Sequence, residues 1–346
     1  MKVAIICDTH FGVRNDSPLF LNYFLDFFEN QFFPYLRDHN IKNVLHLGDL
    51  MDRRKFVNFQ TLAEVKKRFI SHFDSGEFEL WCLLGNHDTY YKNTNEINSI
   101  NQLFNNTKIN IVEKPINLQL GSLSIALVPW INKENYEKSL DFIKSTTSPF
   151  IMGHFELTGF EVLRGVKHED GMSPSILSRF ETVYSGHFHC KQSEKNVSYL
   201  GTPYQITFSD LREKKGFHIL DTETRELEFI ENPNRIFYAI RYNDAEKDML
   251  KTDFTKYKNC FVKLIVENKN KPYIFDKFMD SMYGNSVASL NIIEENTVEL
   301  SSEQTVDNTK DTLTIINAEI DSMEEVQNKN KLKKIIHELY MESLSQ

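Results

Sequence analysis

The sequence predicts an α/β protein with a large N-terminal domain, a small α+β unit and a C-terminal pair of helices. The main observation is that short apolar runs alternate with helical patterns through the first two-thirds of the chain. Most of these runs end at a polar or glycine-containing turn, as buried strands do. The length of 346 residues also exceeds that of a usual single domain, which favours one large domain with smaller additions.

Seven apolar runs each predict a buried strand of the N-terminal domain. They span residues 3–7, 43–47, 78–83, 109–112, 124–128, 150–152 and 182–184. A further strand is predicted at 198–200, and a hairpin pairs 216–220 with 226–230. The Phe-rich stretch 19–33 is apolar nearly all round a helix, which predicts a buried helix that Pro34 should end. We therefore place the first domain at residues 1–233.

The rest of the chain divides into three parts. Residues 234–296 predict a small α+β domain. Its three strands and one helix are expected at 237–242, 261–266, 287–292 and 274–282. Residues 297–312 are rich in Ser, Thr, Asp, Asn and Glu, which predicts a linker. Residues 313–346 carry two apolar repeats at helical spacing and predict a pair of short amphipathic helices.

Composition argues against several classes of protein. No run of about 18 apolar residues exists, and the N-terminal run reads as a strand that stops at Asp8 rather than a signal sequence. We expect no membrane association and a cytoplasmic location. The four cysteines are far apart in sequence, so neither a disulfide framework nor a zinc knuckle is indicated. The formal net charge of −9 argues against a generally basic, nucleic-acid-coating surface, although ten acidic and five basic residues place −5 of it in residues 297–346.

Five short polar motifs stand just past predicted strands. They are Asp8-Thr9-His10, Gly48-Asp49-Leu50-Met51-Asp52, Gly85-Asn86-His87-Asp88, Gly153-His154 and Gly186-His187-Phe188-His189. The carboxyl ends of strands form the rim where α/β proteins build sites, so these side chains can converge. Any one motif alone is weak, because a lone Gly-His or Asp-x-His is usually incidental. Together they hold five of the eleven histidines, and their order, type and location agree, which favours one joint site.

The side chains of these motifs offer oxygen and nitrogen donors without a thiolate, a set that suits Mn²⁺, Fe²⁺ or Zn²⁺. Two cations about 3.5–4 Å apart can cleave a phosphate ester, because one activates water while both neutralise charge on the phosphoryl oxygens. A carboxylate must bridge such a pair, and Asp49 is the best candidate because it lies in the middle of the motif order. The sequence therefore predicts a two-metal phosphoesterase. Surface or packing roles are expected for His39, His46, His72, His168, His218 and His337.

The five motifs in this order resemble the signature of the calcineurin-like metallophosphoesterases. The fold that this resemblance implies is a β-sandwich flanked by helices. More closely, Gly-His-Phe-Glu-Leu-Thr-Gly-Phe at 153–160, Ser-Gly-His-Phe-His at 185–189 and Tyr-Leu-Gly-Thr-Pro at 199–203 resemble the SbcD family of double-strand-break repair nucleases, including its T-even bacteriophage members. The likeness spans nearly the whole chain and weakens after about residue 235. It implies a DNA exonuclease and endonuclease that acts in recombination and repair.

Matched residue by residue, the resemblance implies two metal sites. The first would be held by Asp8, His10, Asp49 and His189, and the second by Asp49, Asn86, His154 and His187. The non-ligand catalytic histidine falls on His87, as a general acid or a phosphate-orienting group. The resemblance also suggests Mn²⁺ and 3′-to-5′ digestion. Some family members have a histidine at the position of Asp52; here a carboxylate bonded to loop amides or to the Arg53–Arg54 pair is at least as consistent with the sequence.

The predicted helix pair needs a surface on which to dock, because isolated helices of this length are marginal. Its apolar positions are Leu313, Ile316, Ile320, Met323, Leu332, Ile335, Ile336, Leu339 and Tyr340. Packing on the parent domain is one possibility, whereas the resemblance implies binding to the coiled-coil base of an SMC-like ABC ATPase. It also implies a homodimer through residues 94–104. There Thr94 could cap a helix with Ile97, Ile100, Leu103 and Phe104 on one face, and core packing is the alternative.

DNA is the expected substrate, and basic residues in loops that follow the metal motifs are candidates for its phosphates. These are Arg14, Arg53, Arg54, Lys55, Arg164 and Lys167. We expect the unit at 234–296 to cap the site and recognise DNA. A small-substrate phosphodiesterase or phosphatase is the alternative, and it predicts a chain that ends soon after residue 230. A non-catalytic scaffold is a third function, but the full donor set and His87 argue against it.

Overall fold

The computed structural model describes residues 1–163, 165–246 and 248–294, together with Asn317, Ile320, Lys329, Leu332, Lys333 and Ile336. Two compact units make up the chain, Met1–Phe237 and Tyr238–Gln346. The strands are, in chain order, β1 Lys2–Ile6, β2 Asn43–His46, β3 Glu79–Leu83, β4 Asn110–Val112, β5 Ile116–Leu120, β6 Leu123–Val128, β7 Phe150–Gly153, β8 Glu161–Leu163, β9 Val166–Lys167, β10 Thr182–Ser185, β11 Gln192–Glu194, β12 Val197–Tyr199, β13 Gly216–Asp221, β14 Leu227–Glu231, β15 Phe237–Asn243, β16 Phe261–Asn268 and β17 Ser289–Glu294.

Helices surround these strands. The α-helical segments are Pro18–Phe27, Phe33–Asp38, Phe59–Val65, Ser71–Asp74, Ser99–Phe104, Tyr136–Ser145 and Pro272–Gly284. Val13–Asp16 is a short turn in which Arg14, Asn15 and Asp16 have left-handed backbone angles. Two π-helical turns, Phe28–Phe32 and Lys66–Ile70, interrupt the longer helices. Short 3₁₀ turns lie at Pro174–Leu177, Phe208–Arg212, Met249–Lys251 and Thr255–Tyr257. No helix in the described part of the chain combines the length and the apolar character needed to cross a membrane.

Two six-stranded sheets form the core of the first unit. Their strand orders are β14-β13-β1-β2-β3-β4 and β11-β12-β10-β7-β6-β5. Strands β1 to β4 run parallel, with Ile5 opposite Leu45 and Leu45 opposite Trp81. Strands β12, β10, β7 and β6 run parallel in the second sheet. The predicted hairpin is confirmed as β13–β14, and it extends the first sheet by pairing antiparallel with β1.

The two sheets pack face to face. Alternate residues of β1, Val3 and Ile5, join Leu45 of β2 and residues of the second sheet such as Ile125 and Met152 in one buried cluster. Each such fully buried side chain contributes about 1.5–3 kcal/mol relative to exposure. The intervening residues of β1, Ala4 and Ile6, are also buried, so the strand is a continuous apolar run. The predicted α/β class with sheets flanked by helices is confirmed.

The Phe-rich segment is a buried helix, as predicted, but its predicted end is wrong. Helical structure continues through Pro34 to Asp38, with the π-helical turn Phe28–Phe32 before it. In this turn the Phe33 amide bonds to the Phe28 carbonyl, five residues back. The extra residue changes the local bonding, so a proline without an amide hydrogen can be accommodated. The buried face packs on other aromatic rings, including Tyr204, which stacks on Phe24 at a centroid distance of 3.7 Å.

The second unit contains the three-stranded sheet β15-β16-β17. Strands β16 and β17 are parallel, and the helix Pro272–Gly284 connects them. Its Phe275, Phe278 and Met282 pack on buried residues of the sheet such as Tyr242. The predicted α+β elements of this unit are therefore present. The predicted linker, 297–312, lies outside the described residues, as does the predicted helix pair, 313–346, apart from the six residues named above.

Candidate metal centre

The five polar motifs lie at the carboxyl ends of parallel strands. Strand β1 leads into Asp8 and His10, and the neighbouring strands of the same sheet lead into the loops of Asp49 and of Asn86. In the second sheet, β7 leads into His154, and β10 leads into His187 and His189. Because the two sheets pack face to face, the loops meet at one edge of the sandwich, and the structure brings together every metal ligand predicted from the sequence.

The backbone is strained where several of these side chains are presented. The φ angles of Asp8, His10, Asp49 and His187 are 53°, 44°, 57° and 93°. Non-glycine residues rarely adopt such values, and each costs about 1–3 kcal/mol. The neighbouring loops also approach closely: a Cβ on Gly85 would lie 2.2 Å from Asp49 Oδ1. Surrounding contacts must hold this geometry, which is common at functional sites.

One donor cluster contains Asp8, His10 and His189, with Asp49 beside it. Donor atoms of the first three lie within 4.8 Å of one another. The Nε2 atoms of His10 and His189 are 3.0 Å apart, and His10 Nε2 lies 3.7 Å from Asp49 Oδ2. Asp8 accepts a hydrogen bond from the backbone amide of His187 at 2.9 Å. That bond joins the loops of the two sheets and holds the Asp8 carboxylate in place.

A second cluster contains Asp49, Asn86, His154 and His187. His154 Nε2 and His187 Nδ1 both lie 2.9 Å from Asn86 Oδ1. His154 Nε2 is also 3.3 Å from Asp49 Oδ2. The same carboxylate oxygen therefore lies between the two clusters.

The hydrogen-bond partners of His154 indicate that this donor set fits a cation. His154 Nδ1 donates to the Leu47 carbonyl at 2.8 Å, which leaves the lone pair of the neutral ring on Nε2. That atom faces two acceptors, the oxygens of Asn86 and Asp49. Acceptors that face one another require a proton or a metal ion between them. Oxygen and imidazole donors without thiolate suit Mn²⁺, Fe²⁺ or Zn²⁺.

The protonation pattern agrees with this requirement for positive charge. Burial lowers the pKa of His10, but the hydrogen bond that its ring donates to Asp52 and the charge of Asp49 outweigh burial and raise this pKa to about 9. At His154, burial lowers the pKa and the charge of Asp49 raises it. The net effect raises the pKa of His154 to about 9. Burial lowers the pKa of His187, and burial together with the His10 charge lowers that of His189. Each cluster thus pairs a ring whose pKa neighbouring carboxylates raise with a ring whose pKa burial lowers.

His87 lies beside the first cluster. Its Nδ1 donates to the backbone carbonyl of Asp52 at 2.6 Å, and its backbone amide donates to Asp49 Oδ1 at 2.7 Å. Its ring packs edge-on against that of His10, with a centroid distance of 4.8 Å. Donor atoms of His87, His10 and Asp49 also lie within 4.8 Å of one another, so distance alone permits His87 either as a ligand or as an acid beside the metals.

Two carboxylates differ from the prediction: Asp52, expected to bond loop amides or the Arg53–Arg54 pair, bonds His10 instead, and Asp88 had no predicted role. Asp52 accepts a hydrogen bond from His10 Nδ1 at 3.0 Å, which orients the ring and directs Nε2 towards His189. Asp88 accepts from four backbone amides, those of Gly85, Asp49, Leu50 and Met51. It thereby joins two of the motif loops. Both residues belong to motifs quoted from the sequence, but no local pattern specifies which atom each one bonds.

The basic residues proposed to contact DNA differ in their exposure and in their bonds to other residues. Arg53 pairs with Asp16 at 3.2 Å, and Arg14 donates to the Ile206 carbonyl at 3.4 Å. Burial lowers the pKa of the half-buried Arg54. Lys55 and Lys167 are exposed. The remaining candidate, Arg164, lies outside the described residues.

The segment proposed for self-association differs from its prediction. The helix begins at Ser99, and Asn98, not Thr94, caps it by accepting from the Asn101 amide at 2.8 Å. The residues before the helix form a loop of turns and bends, in which the Tyr90 amide bonds to the Ile97 carbonyl at 2.9 Å. The predicted common apolar face is therefore wrong: Ile100 and Phe104 are fully buried, whereas Ile97 is 43% exposed.

A two-sheet α/β sandwich with adjoining donor clusters at its strand ends is the architecture expected of a calcineurin-like phosphoesterase. Residues 1–191 match the model of that family, Calcineurin-like phosphoesterase, and the chain belongs to it. It is similar to exonuclease subunit 1 of Enterobacteria phage T4, with 31% identity over 272 residues that cover 78% of each protein. This relative confirms the likeness to a T-even bacteriophage nuclease that the motifs indicate.

Solved structures give more distant matches. One is a novel archaeal phosphodiesterase, with 15% identity, a TM-score of 0.31, and coverage of 67% of this chain and 100% of that one. Another is a purple acid phosphatase from seeds of yellow lupin (Lupinus luteus), with 16% identity, a TM-score of 0.31, and coverage of 66% and 45%. Matches at this level add no argument about substrate.

Proposed function

We propose that the chain is a two-metal DNA nuclease, with exonuclease and endonuclease activity, that works in recombination and double-strand-break repair. The observation that carries the proposal is the pair of donor clusters that share the Asp49 carboxylate. The similarity to a phage protein named exonuclease subunit 1 supports DNA as the substrate.

The residues divide into two ligand sets. Asp8, His10, Asp49 and His189 would hold one divalent cation, and Asp49, Asn86, His154 and His187 would hold the other. Two such cations, for which Mn²⁺ is our proposal, supply an activated water and neutralise charge on the phosphoryl oxygens. The protein positions the donors: Asp52 orients the His10 ring, and the Leu47 carbonyl orients the His154 ring.

His87 is proposed as the general acid. Its Nδ1 bond to the Asp52 carbonyl fixes the ring, which leaves Nε2 to give a proton to the leaving oxygen. The bond from its amide to Asp49 sets its distance from the proposed metals. Substitution of His87 should therefore reduce turnover while leaving metal binding in place.

Exposed side chains on the adjoining loops favour a polynucleotide over a small phosphodiester. Phe56 and Tyr91 are 64% and 49% exposed, and they lie on loops that follow Asp52 and His87. The Arg53 guanidinium lies 4.8 Å from the Phe56 ring centroid, and Lys55 Nζ lies 5.9 Å from that of Tyr90. Aromatic and cationic groups side by side suit unpaired bases and the phosphates between them.

We also propose two protein partners. The apolar repeats of 313–346 are suited to a coiled-coil groove of an SMC-like ABC ATPase, and the exposed Ile97 offers apolar surface for a homodimer through residues 94–104. Residues 234–296 are proposed to take part in DNA recognition.

The test compares linear duplex DNA, single-stranded DNA and a chromogenic phosphodiester as substrates, with Mn²⁺ and with a chelator. We expect Mn²⁺-dependent cleavage of DNA that Asp49→Asn abolishes. Efficient turnover of the chromogenic ester with no cleavage of either DNA would instead indicate a small-substrate phosphodiesterase.

A further inference from the structure

A cleft of about 550 Å³ opens beside the second donor cluster. Its walls include Trp130, Tyr136, His154, Glu156, Met172 and Ile176. One of these, His154, also belongs to the donor cluster. The cleft therefore adjoins the position that a phosphate bound at that cluster would occupy. Its volume falls in the range of sites that bind small organic groups.

The backbone of Trp130, which forms the aromatic wall of the cleft, is held by hydrogen bonds. The Trp130 carbonyl accepts hydrogen bonds from the side-chain amides of Asn95 and Asn135, both at 3.0 Å, and its amide donates to the Leu84 carbonyl at 2.8 Å. The indole lies with its centroid 5.4 Å from that of His187. These bonds fix the backbone of Trp130, so the residue already stands at the cleft wall before a ligand binds.

In the opposite wall of the cleft, the backbone near Met172 lies close to that of Glu156. The Met172 amide bonds to the Glu156 carbonyl at 2.9 Å. Gly171, with φ of 104°, allows this approach, because a Cβ there would lie 2.6 Å from the same carbonyl oxygen. Glu156 in turn lies 3.2 Å from His168 Nε2, so its carboxylate has a partner of its own.

The charge of the cleft differs from that of a phosphate site. The side chains that line it are aromatic, aliphatic or hydroxylic, with one histidine and one carboxylate, and no lysine or arginine is among these lining residues. With no basic side chain among these lining residues, and with the Glu156 carboxylate present, the cleft offers little that would bind a phosphate. Flat apolar walls instead favour an uncharged planar group that stacks between them.

We infer that this cleft is a nucleobase subsite of the nuclease. It receives the base attached to the nucleotide whose phosphate lies at Asp49 and His154, and Trp130 and Tyr136 stack on that base. This inference rests on the proposed function and names the part of the substrate that the cleft binds. Because stacking uses the π-face that every base has, the subsite accepts all four bases.

Fluorescence provides a direct test that does not depend on cleavage. The chain has two tryptophans, Trp81 and Trp130, so Trp81→Phe leaves Trp130 as the sole indole. With Mg²⁺ present, dAMP and dTMP should quench it, whereas 2-deoxyribose 5-phosphate, which lacks a base, should not. Adding Tyr136→Ala should weaken nucleotide binding by about 5- to 100-fold, the usual effect of removing one stacking partner. The adjacent exposed residue, Glu137, lies outside the cleft, and Glu137→Ala should leave binding unchanged.

Cleavage provides the second test. On single-stranded DNA with one abasic residue, the wild-type protein should cut the phosphate beside that residue more slowly than in intact DNA. In the Tyr136→Ala variant, the rates of cutting intact and abasic DNA should be nearly equal. Equal quenching by nucleotides and by 2-deoxyribose 5-phosphate, or equal cutting of intact and abasic DNA by the wild-type protein, would overturn the subsite. Base-dependent quenching without any DNA cleavage would support the subsite and refute the proposed nuclease.

Discussion

Replacing Asp52 by Ala removes one carboxylate from the proposed metal centre and leaves its backbone contacts in place. The side chain accepts a single hydrogen bond from His10 Nδ1, at 3.0 Å, and the two side chains are only 5% and 3% exposed. The backbone carbonyl of Asp52 still accepts from His87 in the variant, and its amide still donates to Phe11. The substitution therefore tests whether orientation of the His10 ring matters for metal binding.

The size of the effect follows from the burial of this bond. A hydrogen bond to a charged group contributes about 1.5–3 kcal/mol when water is excluded. That range corresponds to roughly 10- to 100-fold in metal affinity, which is also the usual effect of removing such a partner from a ligand histidine. Asp52→Asn keeps an oxygen that can accept from Nδ1, so its loss should stay below about tenfold.

Calorimetric titration with Mn²⁺ measures the affinity, and circular dichroism checks the fold. Asp16→Ala is the matched control, because Asp16 is also largely buried but bonds to Arg53 and Thr61 rather than to a proposed ligand. We expect wild-type affinity for this control. Unchanged Mn²⁺ affinity in Asp52→Ala would refute the reasoning and remove His10 from the ligand set.

Three further substitutions test the remaining assignments. Asp49→Asn should abolish nuclease activity and reduce metal content measured by mass spectrometry, because a neutral amide is a poor bridge between two cations; substantial Mn²⁺-dependent activity would contradict this. His87→Ala should lower turnover by about 10²- to 10⁴-fold with metal content unchanged, whereas loss of metal would make His87 a ligand. Ile336→Asp should prevent co-purification with the proposed coiled-coil ATPase and leave cleavage of single-stranded DNA by the isolated chain intact. Wild-type affinity for the ATPase would place its binding site elsewhere.

Local sequence patterns predicted the strands well, for a physical reason. The parallel strands are buried on both faces, so each appears as an uninterrupted apolar run, and the donor residues follow it directly. Thus β2, for example, was predicted at 43–47 and is observed at Asn43–His46. The position of a polar motif just past such a run also predicts that its side chains reach the edge of the sheet.

Local sequence patterns gave wrong helix ends where contacts with distant residues oppose the local preference. Thr94 is a suitable helix cap by residue type, yet Asn98 takes that role because a loop closed by the bond between Tyr90 and Ile97 precedes the helix, which starts at Ser99. Pro34 is a helix breaker by residue type, yet the preceding π-helical turn and the burial of the flanking phenylalanines keep the segment helical. In both cases tertiary packing outweighs a local preference of about 1–3 kcal/mol.

The sequence by itself determined the fold class, the donor types and their order along the chain, because periodicity and residue chemistry are local properties. Only the tertiary structure decided which atoms meet. The bond between His10 and Asp52 spans 42 positions, and the approach of His10 to His189 spans 179. Such contacts depend on the order and register of strands in two packed sheets, which the sum of many weak long-range contacts fixes and no single motif encodes.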